Sequence, residues 1–254
     1  MVPRSFNLSD LTWPEIRDAM LAGYDSILLP VGSIEQHGPH LPLSTDCLHT
    51  VAVLAMVAPS IPALVAPPLP VGRADHHMMF PGSMTLRQET LDALIRDCCD
   101  SLLQHGFRNV LVYSGHGGNA QPLRRIIDGM ARPAGSGRVI GCTDWSLYDD
   151  TLFGCAAEHG IDRASAGAHS GELETSMILA LEPDLVLMER STPGYMGEVA
   201  AVRERIFADG LRSVSENGVL GNPVLGDAGR GREYLNRLAV RIAEFFKREI
   251  ARQP

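Results

Sequence analysis

Residues 26–46, SILLPVGSIEQHGPHLPLSTD, contain the order of elements that decides the fold of this chain. The first six residues, Ser26–Val31, form a short apolar run that predicts a buried strand. A polar loop follows at once, and Asp46 then opens a stretch with helical spacing that reaches Val57. A buried strand, a polar loop and a helix in this order are typical of a parallel sheet covered by helices.

The same order recurs along the rest of the chain. Short apolar runs predict further strands at Ala63–Ala66, Asn109–Tyr113, Arg138–Cys142 and Leu185–Met188. Helices are predicted at Asp10–Ala22, Thr85–His105, Ala120–Met130, Glu172–Leu181, Ala200–Ala208 and Tyr234–Arg252, with Thr85 as an N-cap. We therefore predict an α/β fold, a three-layer α/β/α sandwich with a mostly parallel central sheet, in a single domain of residues 1–254.

Composition excludes several classes of protein. The 254 residues are 45% hydrophobic and 20% charged, and the formal net charge of −8 argues against nucleic acid or an anionic membrane surface as a partner. No apolar run approaches the roughly 20 residues needed to cross a bilayer. Five cysteines without CxxC spacing fit neither a disulfide scaffold nor a zinc ribbon. We expect a cytoplasmic protein with a small-molecule substrate.

Carboxylates and imidazoles cluster in three places, two of them directly after predicted strands and the third at the start of the helix Glu172–Leu181. Ligands in open α/β sheets bind at the carboxyl ends of the strands, and these side chains are what a hydrolytic metal site requires. In chain order they are Glu35, His37, His40, Asp46, His116, His169, Glu172 and Glu174.

Each cluster also has an ordinary interpretation. The residues GHGGN, 115–119, could cradle a phosphate at a helix N-terminus, which would make the chain a non-catalytic phosphate- or nucleotide-binding module. Glu172 and Glu174 could form a solvated first helical turn that the helix dipole stabilises. The coincidence of three such clusters in one domain favours the metal site.

Five segments together resemble the creatininase family of metal-dependent amidohydrolases, and they extend over residues 31–222. The resemblance implies a creatininase-like fold, a homohexamer and two divalent metal ions per subunit, manganese or zinc or alternatively iron. The segments are VGSIEQHGPHLPLSTD, FPGSMTL, SGHGGN, HSGELETSMILAL and GVLGNP.

The resemblance also assigns roles to individual residues. One metal would be held by Glu35 and His116, the other by His37 and Glu174, and Asp46 would bridge the two. His169 corresponds to a histidine that contacts the substrate, and we expect it to protonate the leaving nitrogen. Trp145 corresponds to a tryptophan that packs on the substrate ring.

The chain departs from creatinine hydrolases at the third segment. Those enzymes carry a Tyr and a Glu after the GH, whereas this chain has Gly117 and Gly118. We therefore expect no creatinine pocket and an open volume at the two glycines, with Gly117 at the substrate. Glu172 is the alternative proton donor, in place of the carboxylate missing at position 118. His77, in the long loop before Ser83, is a further candidate for substrate binding.

The sequence thus predicts a binuclear metal-dependent amidohydrolase that cleaves the C–N bond of a small amide through a metal-bridging hydroxide. A cyclic amide, such as a lactam, or a formamide is the expected substrate class. The alternative within the family is a peptidase that trims a short precursor peptide of a redox cofactor. The identity of the amide, the native metal and the pathway stay open at this point.

Overall fold

Among the residues that the structure describes, four parallel strands form a sheet at the centre of the protein. The computed structural model describes residues 2–130, 135 and 137–252, so Met1 and residues 131–134, 136 and 253–254 of the predicted domain lie outside the described ranges. The strand order is β2–β1–β3–β4. The strands are β1 (Ser26–Val31), β2 (Ala63–Val65), β3 (Asn109–Ser114) and β4 (Arg138–Cys142).

The register of β1 and β3 brings two of the predicted polar loops to one edge of the sheet. Ser26 lies opposite Asn109 at the beginning of this pair, and Val31 lies opposite Ser114 at its end. Both strands therefore end level with each other. The loops that carry Glu35 and His116 leave the sheet side by side, as expected at the carboxyl edge of a parallel sheet.

Helices cover both faces of the sheet, which confirms the predicted three-layer α/β/α sandwich. Helices α2, α5, α7 and α9 pack on one face, and α1, α3 and α4 pack on the other. The helix bounds are α1 Trp13–Leu21, α2 Thr45–Val57, α3 Gln88–Gln104, α4 Gly117–Asp128, α5 Trp145–Glu158, α6 Arg163–Ala166, α7 Glu172–Leu181, α8 Val199–Asp209 and α9 Ala228–Ala251.

Alternation along the central strands separates two core clusters, one on each face of the sheet. In β1, Leu28 joins the cluster on the α9 side, whereas Ile27 and Leu29 join the cluster on the α3 side. Each of these side chains is almost completely buried. Burial of one such side chain contributes about 1.5–3 kcal/mol, so both layers are held to the sheet by the hydrophobic effect.

The predicted strand at Leu185–Met188 is wrong. Two short 3-10 turns, Pro183–Leu185 and Met188–Arg190, occupy this part of the chain. Leu185 is 46% exposed and Leu187 is 38% exposed, so this apolar run lies on the surface and has no neighbouring strand to pair with.

The predicted N-cap at Thr85 is also wrong, because the Thr85 side chain has another partner. Its hydroxyl accepts a hydrogen bond from the main-chain N–H of Ala74 (2.9 Å) and so ties down the long loop. Helix α3 begins later, after Arg87 as its N-cap. No helix within the described ranges is both long and apolar enough to span a bilayer.

Two residues on α9 test the layer arrangement. Leu238 is completely buried in the core between α9 and the sheet, whereas Val240 is 57% exposed. We expect Leu238→Ala to lower the free energy of unfolding by about 2–5 kcal/mol, because it leaves a cavity. The matched variant Val240→Ala should change it by less than about 0.5 kcal/mol. Urea denaturation measures both, and equal losses would contradict the packing described here.

Candidate metal centre

Five of the predicted ligand residues meet at the carboxyl edge of the sheet, and all five are buried. They form two trios in which the potential ligand atoms lie within 4.8 Å of one another, and Asp46 belongs to both. The first trio is Glu35, Asp46 and His116, and the second is His37, Asp46 and Glu174.

The distances within each trio are those of groups that converge on one point. His116 Nδ1 lies 3.2 Å from Glu35 Oε2 and 3.3 Å from Asp46 Oδ2. His37 Nε2 lies 3.3 Å from Asp46 Oδ1 and 3.7 Å from Glu174 Oε2. The two oxygens of Asp46 therefore face different histidines, which is the arrangement that a bridging carboxylate needs.

Main-chain carbonyls orient the two histidines. His37 donates through Nδ1 to the Glu35 carbonyl (3.1 Å), and His116 donates through Nε2 to the Arg73 carbonyl (2.8 Å). Because a carbonyl oxygen only accepts hydrogen bonds, the proton of each neutral ring is fixed on that nitrogen. The other nitrogen then turns its lone pair toward the carboxylates.

Lone pairs of nitrogen and oxygen repel each other unless a proton or a metal ion lies between them. His37 Nε2 and Asp46 Oδ2 are buried, and neither has a hydrogen-bond partner. Buried polar atoms without a partner are rare and call for an explanation, such as a bound ion. Imidazole and carboxylate ligands suit zinc, manganese and iron, so the residues present fit the expected divalent metals.

Tight turns bring these ligands within reach. A Cβ on Gly115 would collide with the ring of His49 on α2, so glycine lets the loop after β3 approach that helix. Ser170 precedes α7 with a φ of 54°, a conformation that few non-glycine residues adopt. The N–H of Ser170 donates to the Glu174 carboxylate and so fixes its direction.

His169 and His77 lie next to Glu35, and Gln36 connects them. His169 donates through Nε2 to the Gln36 carbonyl (2.8 Å), and its Nδ1 lies 3.8 Å from Glu35 Oε1. His77 Nε2 lies 3.2 Å from Glu35 Oε1, and its Nδ1 accepts from the Gln36 amide (3.1 Å). Burial lowers the pKa of both imidazoles well below its usual value. His77 therefore holds Glu35 in place, while the structure leaves His169 Nδ1 directed at the centre.

A cavity of about 940 Å³ opens over the metal centre, and Glu35, Asp46, His116 and His169 are part of its wall. Trp145, the first residue of α5, also lines it. A Cβ on Gly117 would lie 3.4 Å from the Trp145 ring, so Gly117 leaves that part of the cavity open.

Gly118 lines the cavity, as expected, but there is no room for a side chain at its Cα. A Cβ at this position would collide with His116 Nε2 and would lie 2.6 Å from the Arg73 carbonyl oxygen. The space is therefore filled by the hydrogen bond between these two groups. Gly118 thus leaves room for this hydrogen bond of the metal centre and also lines the cavity.

Glu172, the alternative proton donor, points away from the cavity. Its carboxylate is completely buried and accepts hydrogen bonds from Arg230 Nε (2.8 Å) and the Tyr234 hydroxyl (3.0 Å) on α9. Two residues along an α-helix correspond to a rotation of about 200°, so Glu172 and Glu174 face opposite sides of α7. Glu172 is thus placed to join α7 to α9 and not to transfer protons.

Other polar residues near the centre were not singled out from the sequence. Ser33 donates to Glu35 Oε2 (2.9 Å), and His49 Nε2 lies 3.5 Å from Asp46 Oδ1. The spacing of three residues between Asp46 and His49 on a helix could have indicated this contact. His40, considered as a ligand, instead contacts Thr175 Oγ1 (2.9 Å) and fastens the loop to α7.

The comparisons with known proteins identify the family of this chain. The family model described as creatinine amidohydrolase matches residues 9–246, so the chain belongs to the creatininase family. The chain is 33% identical over 228 residues to the mycofactocin precursor peptide peptidase of Mycolicibacterium smegmatis, covering 87% of this chain and 84% of that protein.

Two further relatives carry the name of creatininase. The creatinine amidohydrolase of Pseudomonas putida is 33% identical over 207 residues, covering 74% of this chain and 76% of that enzyme. The solved structure of a creatininase mutant of the Zn–Zn type superimposes with a TM-score of 0.83 at 26% identity, and the match covers 98% of this chain and 100% of that one. A creatininase-like fold is therefore established for this chain.

Protons and metal ions compete for the same nitrogens in this centre. Burial alone would lower the pKa of His37, but the carboxylates of Asp46 and Glu174 outweigh it and raise the pKa to about 10. Burial likewise opposes the charged form of His116, and Glu35 and Asp46 raise the pKa of that imidazole well above its usual value. In the metal-free chain the neighbouring carboxylates therefore favour an extra proton on both rings.

We expect metal binding to release protons and to strengthen as the pH rises. Because a raised pKa strengthens the hold of each histidine on its extra proton, a metal ion must displace that proton in order to bind. The apparent affinity for Mn²⁺ should therefore rise about tenfold per pH unit for each proton released. Calorimetry in buffers of different ionisation enthalpy counts these protons. An affinity that does not change between about pH 6 and about pH 8 would contradict the assignment.

Proposed function

We propose that this protein is a binuclear metal-dependent hydrolase of amide bonds and that its substrate is a short peptide. The observation that carries the proposal is the pair of trios sharing Asp46 in the wall of a cavity of about 940 Å³. Ligand cavities for drug-sized molecules reach about 300–1,000 Å³, so this one exceeds the needs of a single small ring. The relative from Mycolicibacterium smegmatis, named as a peptidase, supports the same substrate class.

The chemistry divides between the metals and the side chains. When bound, the two divalent ions would supply Lewis acidity and lower the pKa of a water molecule at the centre. Glu35, His116, His37, Glu174 and Asp46 would hold them.

His169 is the proposed carrier of the proton. Its Nε2 is fixed by the Gln36 carbonyl (2.8 Å), so Nδ1 is the nitrogen left to take a proton and deliver it to the leaving nitrogen. Its position 3.8 Å from Glu35 keeps that nitrogen beside the metal centre. Gly117 and Trp145 would contact the substrate, because both face the cavity.

A small cyclic amide or a formamide is the second candidate substrate. Trp145 stacks on Tyr148 with ring centroids 4.4 Å apart and an angle of 20° between the planes, which offers a flat wall to a ring. The relative from Pseudomonas putida, named as a creatinine amidohydrolase, supports this second substrate class.

Assembly, location and metal identity belong to the same proposal. We propose a homohexamer in the cytoplasm, built from one domain of residues 1–254, with manganese or zinc, or alternatively iron, at the centre. Light scattering measures the oligomeric state, and a stable monomer would overturn that part.

Substrate size distinguishes the two candidates. We expect the manganese-loaded protein to cleave short peptides with a higher kcat/KM than creatinine, lactams or formamides. The reason is that a larger ligand fills more of the cavity and places its amide more firmly at the centre. Mass spectrometry of the products measures all four substrate classes under one condition. If the protein cleaves creatinine efficiently and leaves the peptides intact, the peptidase proposal is overturned.

The shared carboxylate provides a direct test of the two-metal centre. We expect the Asp46→Ala variant to bind neither metal ion and to show a kcat/KM at least 10²-fold lower than the wild type. The substitution removes a ligand from each trio and the negative charge that faces both histidines. Elemental analysis measures the metal content per chain. The control is Asp18→Ala, which removes an exposed carboxylate that pairs with Arg17 on the surface. Full metal content in the Asp46 variant would contradict the shared role.

A further inference from the structure

Asn119 joins three segments of the chain directly behind His116. It lies in the first turn of α4 and is completely buried. Its Oδ1 accepts from the main-chain N–H of Arg73 (2.9 Å), and its Nδ2 donates to the Gly32 carbonyl (2.9 Å) and to Ser114 Oγ (3.1 Å). One side-chain amide thus fastens the ends of β1 and β3 to the long loop that contains residue 73.

The main chain of Arg73 passes this constraint on to the metal centre through its two flanking peptide groups. Its N–H is held by Asn119, and the carbonyl of the same residue accepts the Nε2 proton of His116 (2.8 Å). The Arg73 side chain is engaged elsewhere, with Nε donating to Asp75 Oδ2 (2.8 Å). The main chain and not the guanidinium is therefore what reaches His116.

We infer that Asn119 is a positioning residue for the metal centre. It holds the Arg73 carbonyl at the one place where it fixes the proton of His116 on Nε2 and turns Nδ1 toward Glu35 and Asp46. The inference rests on the proposed function, because it gives Nδ1 the role of a metal ligand. A histidine that ligates a metal needs its other nitrogen bonded in this way, and loss of such a partner typically weakens metal binding about 10–100-fold.

Two glycines make this arrangement possible. A Cβ at position 72 would collide with the Asn119 amide, and a Cβ at position 118 would collide with His116 Nε2. Gly118 stands where creatinine hydrolases carry a glutamate, so the departure found in the sequence has a structural consequence. In this chain a main-chain carbonyl approaches His116 through the space that a side chain at position 118 would occupy.

A pair of matched variants tests the inference. Asn109, at the opposite end of β3, is also buried; it donates to Ser26 Oγ (2.9 Å) and accepts from Arg138 Nε (2.9 Å). We expect Asn119→Ala to weaken Zn²⁺ and Mn²⁺ binding about 10–100-fold in chelator competition, and Asn109→Ala to leave it within about twofold. Urea denaturation of both variants shows whether they lose comparable stability. Wild-type affinity in Asn119→Ala, or equal losses of affinity in both variants, would overturn the inference.

A second measurement does not depend on metal binding. In the metal-free protein, proton NMR follows the exchange of the His116 Nε2 proton with water, which the hydrogen bond to Arg73 should slow. We expect this protection in the wild type and its loss in Asn119→Ala and in Gly118→Ala. A wild type that protects the proton but takes up no metal would defeat the proposed function while leaving the hydrogen bond in place. Equal exchange in wild type and both variants would defeat the inference itself.

Discussion

Three carboxylates buried side by side are the constraint on which the rest of the centre depends. Glu35, Asp46 and Glu174 are removed from water, and like charges in such surroundings repel each other strongly. Protons or metal ions must compensate them: burial raises the pKa of Glu35 itself, the histidines can hold protons, and bound metal ions can replace those protons. The raised pKa of His37 and the two trios around Asp46 are two expressions of the same requirement.

The parallel sheet brings these groups together through loops and the first turns of two helices. Because β1 and β3 end level with each other, the loops after them leave the sheet together, and the first turns of α2 and α7 supply the remaining carboxylates. None of the five ligand candidates belongs to a strand. The sheet brings the loops to a common edge. Glycines at the close approaches let these short loops direct their side chains at the metal centre.

Sequence reasoning reached the layers and the ligand candidates but not the direction of every side chain. Local pattern places Glu172 and Glu174 in one helical turn, yet only the packing of α7 against α9 decides that Glu172 meets Arg230. Similarly, Leu185–Met188 has the composition of a strand and lacks only a neighbour to pair with. At Gly118, a missing side chain suggested empty space, because sequence alone does not reveal which main-chain group moves in.

The main-chain carbonyls that hold the histidines have a consequence for how such enzymes diverge. An acceptor on the backbone survives any substitution at its own residue that leaves the backbone in place, whereas a side-chain acceptor does not. Arg73 shows the separation: its carbonyl holds His116, while its side chain lines the cavity. Selection can therefore alter the cavity wall at that residue without changing the histidine beneath it. Conserved metal chemistry and changing substrates can then evolve on one chain with little interference.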